Sequence, residues 1–289
     1  MNNPNHFRNS ADPMQQCRKG TTMPVSLEKV EAQAPHLVSL YKGVGVSLDK
    51  LGIDPSRYRA AVIGTFDHSF STEDGHNKLY SDGTMQRVAD ISFAAGLQFD
   101  DDGSVPVSLF DNRVTPLGEI TLANCRGFLD QHSKHRFGGT SYVSALRWII
   151  EEAGFGRVDL GSLGASSGGG GGFLKRKHAP AHSELAVKAT APYPTYAIFV
   201  TDGEPQDRHE DIIQLLTLMS QLPIFVQFIG VGHHKFQFLK VLDNLGSRLI
   251  DNANFFDAKS APDQDTMITM MLKEFPEFYV NARKLGLLV

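Results

Sequence analysis

From Tyr58 onward the chain alternates short apolar runs with amphipathic stretches. Apolar runs of strand length read as strands buried on both faces. Apolar residues three and four apart read as helices with one covered side. Strands are predicted at Arg59–Asp67, Val105–Phe110, Tyr196–Val200 and Ile224–Val231. A short edge strand is expected at Glu119–Thr121 and a last strand within Arg248–Phe256. Helices are predicted over Thr84–Phe99, Leu122–His132, Tyr142–Ala153 (with Trp148 in the core), Asp207–Leu222 and Phe236–Leu245. One long helix follows from Asp263, with Met267, Met270, Met271, Phe275 and Phe278 on its apolar side and a kink at Pro276. Strands alternating with helices predict an α/β class: a doubly wound, mainly parallel sheet with helices on both faces and right-handed crossovers.

Two segments precede this rhythm and one interrupts it. Residues 1–23 are polar and without periodicity, and are expected to be a disordered tail. Residues 24–57 form a lead-in in which Val25-Ser26-Leu27-Glu28-Lys29 is echoed by Val46-Ser47-Leu48-Asp49-Lys50. Between the copies, Leu37, Val38, Leu40 and Tyr41 are spaced helically, so the lead-in should be helical and pack on the domain edge. The main domain is read over 58–289, with a flexible insertion at 161–194. That insertion carries the five glycines Gly168 to Gly172 and then Lys175-Arg176-Lys177-His178. No Gly-Lys-Ser/Thr follows the glycines, so they are not a phosphate-binding loop.

Composition narrows the function classes. The 289 residues are 41% hydrophobic and 21% charged, enough for one large domain with a buried core. A net charge of −4 offers no footprint for nucleic acid or for an acidic membrane surface. No apolar run approaches the roughly 18–20 residues of a membrane span, and the first residues lack the apolar core of a signal peptide. Cys17 and Cys125 make no disulfide framework, which favours a reducing, cytoplasmic setting. Oligomeric state is left open.

The candidate chemistry begins where the first strand ends. Asp67, Ser69 and Ser71 alternate there, in an Asp-x-Ser-x-Ser pattern that offers oxygen donors and neither nitrogen nor sulfur. Hard cations such as magnesium take such a set. The same residue types also cap helices and form turns. Two further loops supply matching oxygens: Thr140 after Gly138-Gly139, and Asp202 in Thr201-Asp202-Gly203 after a strong apolar strand. Asp100-Asp101-Asp102-Gly103 lacks the alternating ligands of a calcium loop and reads as a solvated turn. His132 with His135, and His233 with His234, lack a third ligand at zinc spacing. A nucleophile elbow and a carboxylate cluster for two-metal hydrolysis are both missing.

Taken together, Asp-x-Ser-x-Ser, Gly-Gly-Thr and an apolar strand ending in Thr-Asp-Gly resemble the metal-ion-dependent adhesion site of von Willebrand factor A (vWA) domains, over about Tyr58 to Leu285. Tyr80-Ser81-Asp82-Gly83-Thr84-Met85-Gln86-Arg87, Asp101-Asp102-Gly103-Ser104-Val105-Pro106-Val107 and the repeated lead-in resemble the bacterial tellurium-resistance (Ter) type. The resemblance implies magnesium, with manganese as an alternative, held directly by Ser69 and Ser71. Thr140 would bind directly or through water, and Asp67 and Asp202 mainly through waters. It implies a protein partner that offers an acidic residue to the metal, within a stress-response or phage-defence system. Gly138 and Gly139 would permit close approach, and Gly203 a turn at the ion. Phe70 departs from the small residue usual between the two serines; it should point away from the ion and either alter the loop or join the partner surface. A metal-assisted hydrolase and a metal-independent scaffold remain the alternatives.

Overall fold

The computed structural model describes residues 24–55, 57–100, 103–133, 138–158, 189–261 and 263–289. The tail read over 1–23, most of the insertion, Cys17, His135, Phe137, Asp101 and Asp102 lie outside the described residues. Six strands form one sheet: β1 (Ala61–Asp67), β2 (Ser104–Phe110), β3 (Val114–Thr121), β4 (Thr195–Thr201), β5 (Ile224–Gly230) and β6 (Ala253–Asp257). Their order is β3-β2-β1-β4-β5-β6, parallel throughout except for antiparallel β3 at the edge. The α/β, doubly wound, mainly parallel architecture is therefore present, and the strand order reverses between β1 and β4. In open α/β sheets that reversal opens a crevice at the carboxyl ends of the strands.

Helices cover both faces. On one side lie α1 (Leu27–Gln33), α2 (Val38–Lys50), α3 (Thr84–Phe99), the short α4 (Phe128–His132), α8 (Gln264–Leu272) and α9 (Phe275–Lys284), all contributing to one apolar cluster. On the other lie α5 (Tyr142–Glu152), α6 (His209–Met219) and α7 (Gln237–Asp243). Strands β4 and β5 are buried at every residue, as continuous apolar runs between two helical layers should be. The one polar side chain at the centre of β5, Gln227, is satisfied by Asn254 of β6: its amide donates to the Asn254 carbonyl at 3.3 Å and accepts from Asn254 Nδ2 at 3.0 Å.

Four sequence expectations change. The edge strand is longer than Glu119–Thr121 because Pro116 and Gly118 mask its first half, and an edge strand tolerates both beside a bulge at Val107/Ser108. The helix expected at Leu122–His132 shrinks to Phe128–His132. Asn124 Oδ1 takes the Thr121 amide at 2.7 Å and Gly127 adopts a left-handed φ of 63°, so the preceding segment turns instead. The long last helix is two helices. Pro276 sits in the first turn of α9, where its missing N–H costs nothing, so it starts a helix rather than kinking one. Trp148 is half-buried at the margin of its core rather than inside it.

The lead-in goes deeper than the domain edge. Val30, Leu37, Val44 and Leu48 are buried in the same cluster as the sheet, and α2 packs against α3 and α8. The Val25 amide donates to the Leu97 carbonyl at 3.1 Å, and the Tyr41 hydroxyl donates to the Val25 carbonyl. At the other end of the insertion, Ala191 forms a parallel bridge with Leu288, and the Ala61 amide donates to the Pro194 carbonyl at 3.0 Å.

Two measurements probe this packing. Leu37→Ala should cost about 2–5 kcal/mol, lowering the urea midpoint of the whole domain with an unchanged slope; a separate early transition for the lead-in would contradict one shared core. Half-buried Asp90 on α3 has its pKa raised to about 6, chiefly by burial and despite the Gln86 amide donating to it at 2.7 Å. Between about pH 4 and pH 6 the folded chain keeps a proton that the unfolded chain has lost. Stability should therefore fall as pH rises through that window, and Asp90→Asn should flatten that part of the urea-midpoint profile.

Candidate functional site

β1 delivers Asp67 at its last residue, fully buried. β4 lies beside it in parallel register, with Phe66 opposite Val200, so Thr201 and Asp202 emerge next to Asp67. Thr201 Oγ1 donates to Asp67 Oδ2 at 2.7 Å. The other carboxylate oxygen, Oδ1, accepts the Ser69 amide at 2.9 Å, which closes the backbone into a turn and begins the 3-10 helix Phe70–Glu73. That turn places the two serine hydroxyls side by side: Ser69 Oγ and Ser71 Oγ are 3.1 Å apart, and Ser71 Oγ donates to Asp202 Oδ1 at 3.0 Å. Asp67, Ser69, Ser71 and Asp202 are thus joined in one hydrogen-bonded chain at the crevice.

Thr140 reaches the same edge through its backbone. The Phe70 amide donates to the Gly138 carbonyl at 3.3 Å and the Gln206 amide to the Thr140 carbonyl at 2.9 Å, so its loop is tied to the segments after β1 and β4. Thr140 itself is 5% exposed. The glycines before it have two different reasons. Gly138 has φ 88°, and a Cβ there would come within 2.4 Å of Asn112 Nδ2; at Gly139 the conflict is with the mobile end of Gln206. Gly203, expected to provide a turn at the ion, has neither a left-handed φ nor a crowded Cβ position.

Further residues support the loops, and the sequence alone assigned none of them a role at the site. Asp207 accepts Ser141 Oγ at 2.9 Å and the Val143 amide at 3.1 Å, fixing the first turn of α5 behind Thr140. Asn112 Oδ1 accepts the Gly139 amide at 3.0 Å. The Tyr142 hydroxyl donates to the Gly203 carbonyl at 2.6 Å and the Tyr80 hydroxyl to the Asp67 carbonyl at 2.7 Å. Asn77, 4% exposed, donates through Nδ2 to Asp202 Oδ2 and to the Ser71 carbonyl, both at 3.1 Å.

Electrostatically the site is two acids without a base. Burial raises the Asp67 pKa to about 7, with the neighbouring Asp202 charge adding to the rise and the Ser69 and Thr201 hydrogen bonds opposing it. Burial likewise raises Asp202, against the Ser71 hydrogen bond. Among the described residues no Lys, Arg or His side chain pairs with either carboxylate. Among them, too, no three His, Cys, Asp or Glu side chains cluster as a metal-ligand group. The donors here are hydroxyls and two carboxylates, all oxygen, the kind of set from which hard divalent cations are held.

The family model described as "vWA-TerF-like: vWA found in TerF C terminus" matches residues 59–163 and 173–288. The interval it skips contains the run Gly168 to Gly172. The uncharacterized protein YcbR of Bacillus subtilis (strain 168) is 26% identical over 216 residues, covering 72% of this chain and 74% of that protein. Among solved structures, proximal thread matrix protein 1 from the mussel byssus has a TM-score of 0.46 and 16% identity over 76% of this chain; the match spans 48% of that protein, about half its length. The VWA domain of SpRpn10 has a TM-score of 0.44 and 12% identity, covering 80% of this chain and 98% of that one.

The loop bearing Thr140 depends on Gly138 in a way that can be measured. Gly138→Ala places a side chain in a left-handed backbone against Asn112, and should lower stability by about 1–3 kcal/mol in urea titration. Gly203→Ala should stay within about 0.5 kcal/mol of wild type, as a substitution into open space.

Proposed function

This chain belongs to the vWA-TerF-like family, and from that premise we propose that it is a magnesium-dependent protein-binding module. The observation that carries this reading is the pair of buried carboxylates, Asp67 held by the Ser69 amide and the Thr201 hydroxyl and Asp202 by the Ser71 hydroxyl, lacking a cationic side chain among the described residues. Two such acids are costly to bury, and a divalent cation offsets that cost.

Ser69 and Ser71 would hold the ion directly through neutral hydroxyls, and Thr140 directly or through water. Asp67 and Asp202 act mainly through waters, contributing charge without filling the coordination shell. Magnesium keeps several waters and demands near-octahedral oxygen geometry, which suits this set; manganese is the alternative. When bound, the ion supplies a positive centre at which a partner's carboxylate can replace water. Thr201 and the Ser69 amide hold Asp67 in place for this, while Asn112 and Asp207 hold the Thr140 loop.

Phe70 extends the binding surface. Phe70 is 69% exposed while its backbone amide is tied to Gly138, so an apolar group stands at the rim between two serines. Such a group suits a partner whose acidic residue has an apolar neighbour. Binding rather than turnover is the role assigned, in the cytoplasm. Among the described residues no helix is long and apolar enough to cross a membrane, and Cys125 is a buried free thiol. The family supports a place in a tellurium-resistance-like stress or phage-defence system.

Calorimetry should find one magnesium or manganese ion per chain, with calcium weaker, and no binding in the Ser69→Ala, Ser71→Ala double variant. In a pull-down from the native host, Thr140→Ala should weaken partner capture about tenfold while leaving apo unfolding nearly unchanged. Phe70→Ala should weaken capture without changing metal affinity. Capture that survives both chelator and Thr140→Ala would favour a metal-independent scaffold, and metal-dependent turnover of phosphoesters would favour a hydrolase.

A further inference from the structure

Asn77 holds one oxygen of Asp202 while Ser71 holds the other. Asp202 Oδ2 accepts Asn77 Nδ2 at 3.1 Å, and Asp202 Oδ1 accepts Ser71 Oγ at 3.0 Å. The same Nδ2 donates to the Ser71 carbonyl at 3.1 Å, and the Asn77 backbone N–H donates to Asp74 Oδ1 at 3.1 Å, so side chain and backbone are each tied to the loop after β1. Its own oxygen, Oδ1, is buried without a hydrogen-bond partner, on the side of the loop after β5: a Cβ built at Gly232 would lie 2.9 Å from it. Turning the amide over would set that oxygen against a carboxylate and a carbonyl, two acceptors, so the partners themselves decide the orientation.

This division of labour bears on which cation the site accepts. A carboxylate with one oxygen occupied by a fixed donor has a single oxygen left to face the site, enough to meet the bound water of a magnesium ion but not to grip a larger ion with both oxygens. Magnesium is satisfied by single oxygens at short, near-octahedral distances and retains its waters. Calcium is larger, takes more ligands, and uses carboxylates bidentately. We infer that Asn77 is a specificity-determining positioning residue: it confines Asp202 to one-oxygen presentation, and thereby favours magnesium over calcium. The inference rests on the metal reading above.

The test is calorimetry of the whole chain with magnesium and calcium separately, for wild type and Asn77→Ala, alongside thermal unfolding of each apo protein. Removing the amide frees Asp202 Oδ2. Magnesium affinity should fall about tenfold, as for the loss of an outer-shell partner, while calcium affinity holds or rises. The calcium-to-magnesium preference should therefore move by about tenfold toward calcium. A purely structural role would weaken both ions together and leave their ratio unchanged, and that result overturns the inference. Should Asn77→Ala not fold, Asn77→Ser, too short to reach Asp202, takes its place with the same expectation. Wild type that binds neither ion would overturn the metal reading itself; wild type that binds magnesium, with an unshifted ratio in both variants, overturns only the role of Asn77.

Discussion

The burial of two carboxylates side by side sets the terms for the rest of this molecule. Asp67 and Asp202 leave adjacent parallel strands at the point where the strand order reverses. Moving each out of water carries an effective penalty of several kcal/mol, and the raised pKa of both records that penalty. The surrounding donors limit it: the Ser69 amide and Thr201 hydroxyl on Asp67, the Ser71 hydroxyl and Asn77 amide on Asp202. All four are neutral. They orient the acids without bringing a positive charge to them.

The fold supplies what these donors require, namely strand ends held in register between packed layers. β1 and β4 are held in register by their own ladder and sandwiched between two apolar layers. The lead-in helices belong to one of those layers, so the segment before the first strand contributes to the rigidity of the site at the far end of it. Among the described residues no strand leads into the Thr140 loop. It relies on Asp207 and Asn112, on a glycine in a left-handed conformation, and on backbone bonds to the loops on either side.

Where the chain's local pattern and its packing agreed, the elements were legible. The wholly buried β4 and β5 and the long α3 are such cases. Where a local signal had two readings, packing chose between them. Pro276 can kink a helix or begin one, and the break at Lys273–Glu274 made it a first-turn residue. Pro116 and Gly118 argue against a strand in isolation, but the hairpin partner β2 recruits them to an edge. Gly127 and Asn124 delayed the start of a helix that apolar spacing alone would have begun at Leu122.

The sequence by itself determined the fold class, the family and the oxygen character of the site, because each of these is written in short local patterns: strand-length apolar runs, alternating hydroxyls after an aspartate, a threonine behind paired glycines. Only the tertiary structure decided which side chains hold those groups in place. Asn77 lies 125 positions from Asp202 along the chain, and Asp207 lies 66 from the Ser141 it caps. An asparagine in a polar loop reads as a turn residue until the sheet brings a carboxylate to it. A hydrogen bond depends on distance and angle in space, and neither is encoded in the spacing of residues that meet only after the strands have paired.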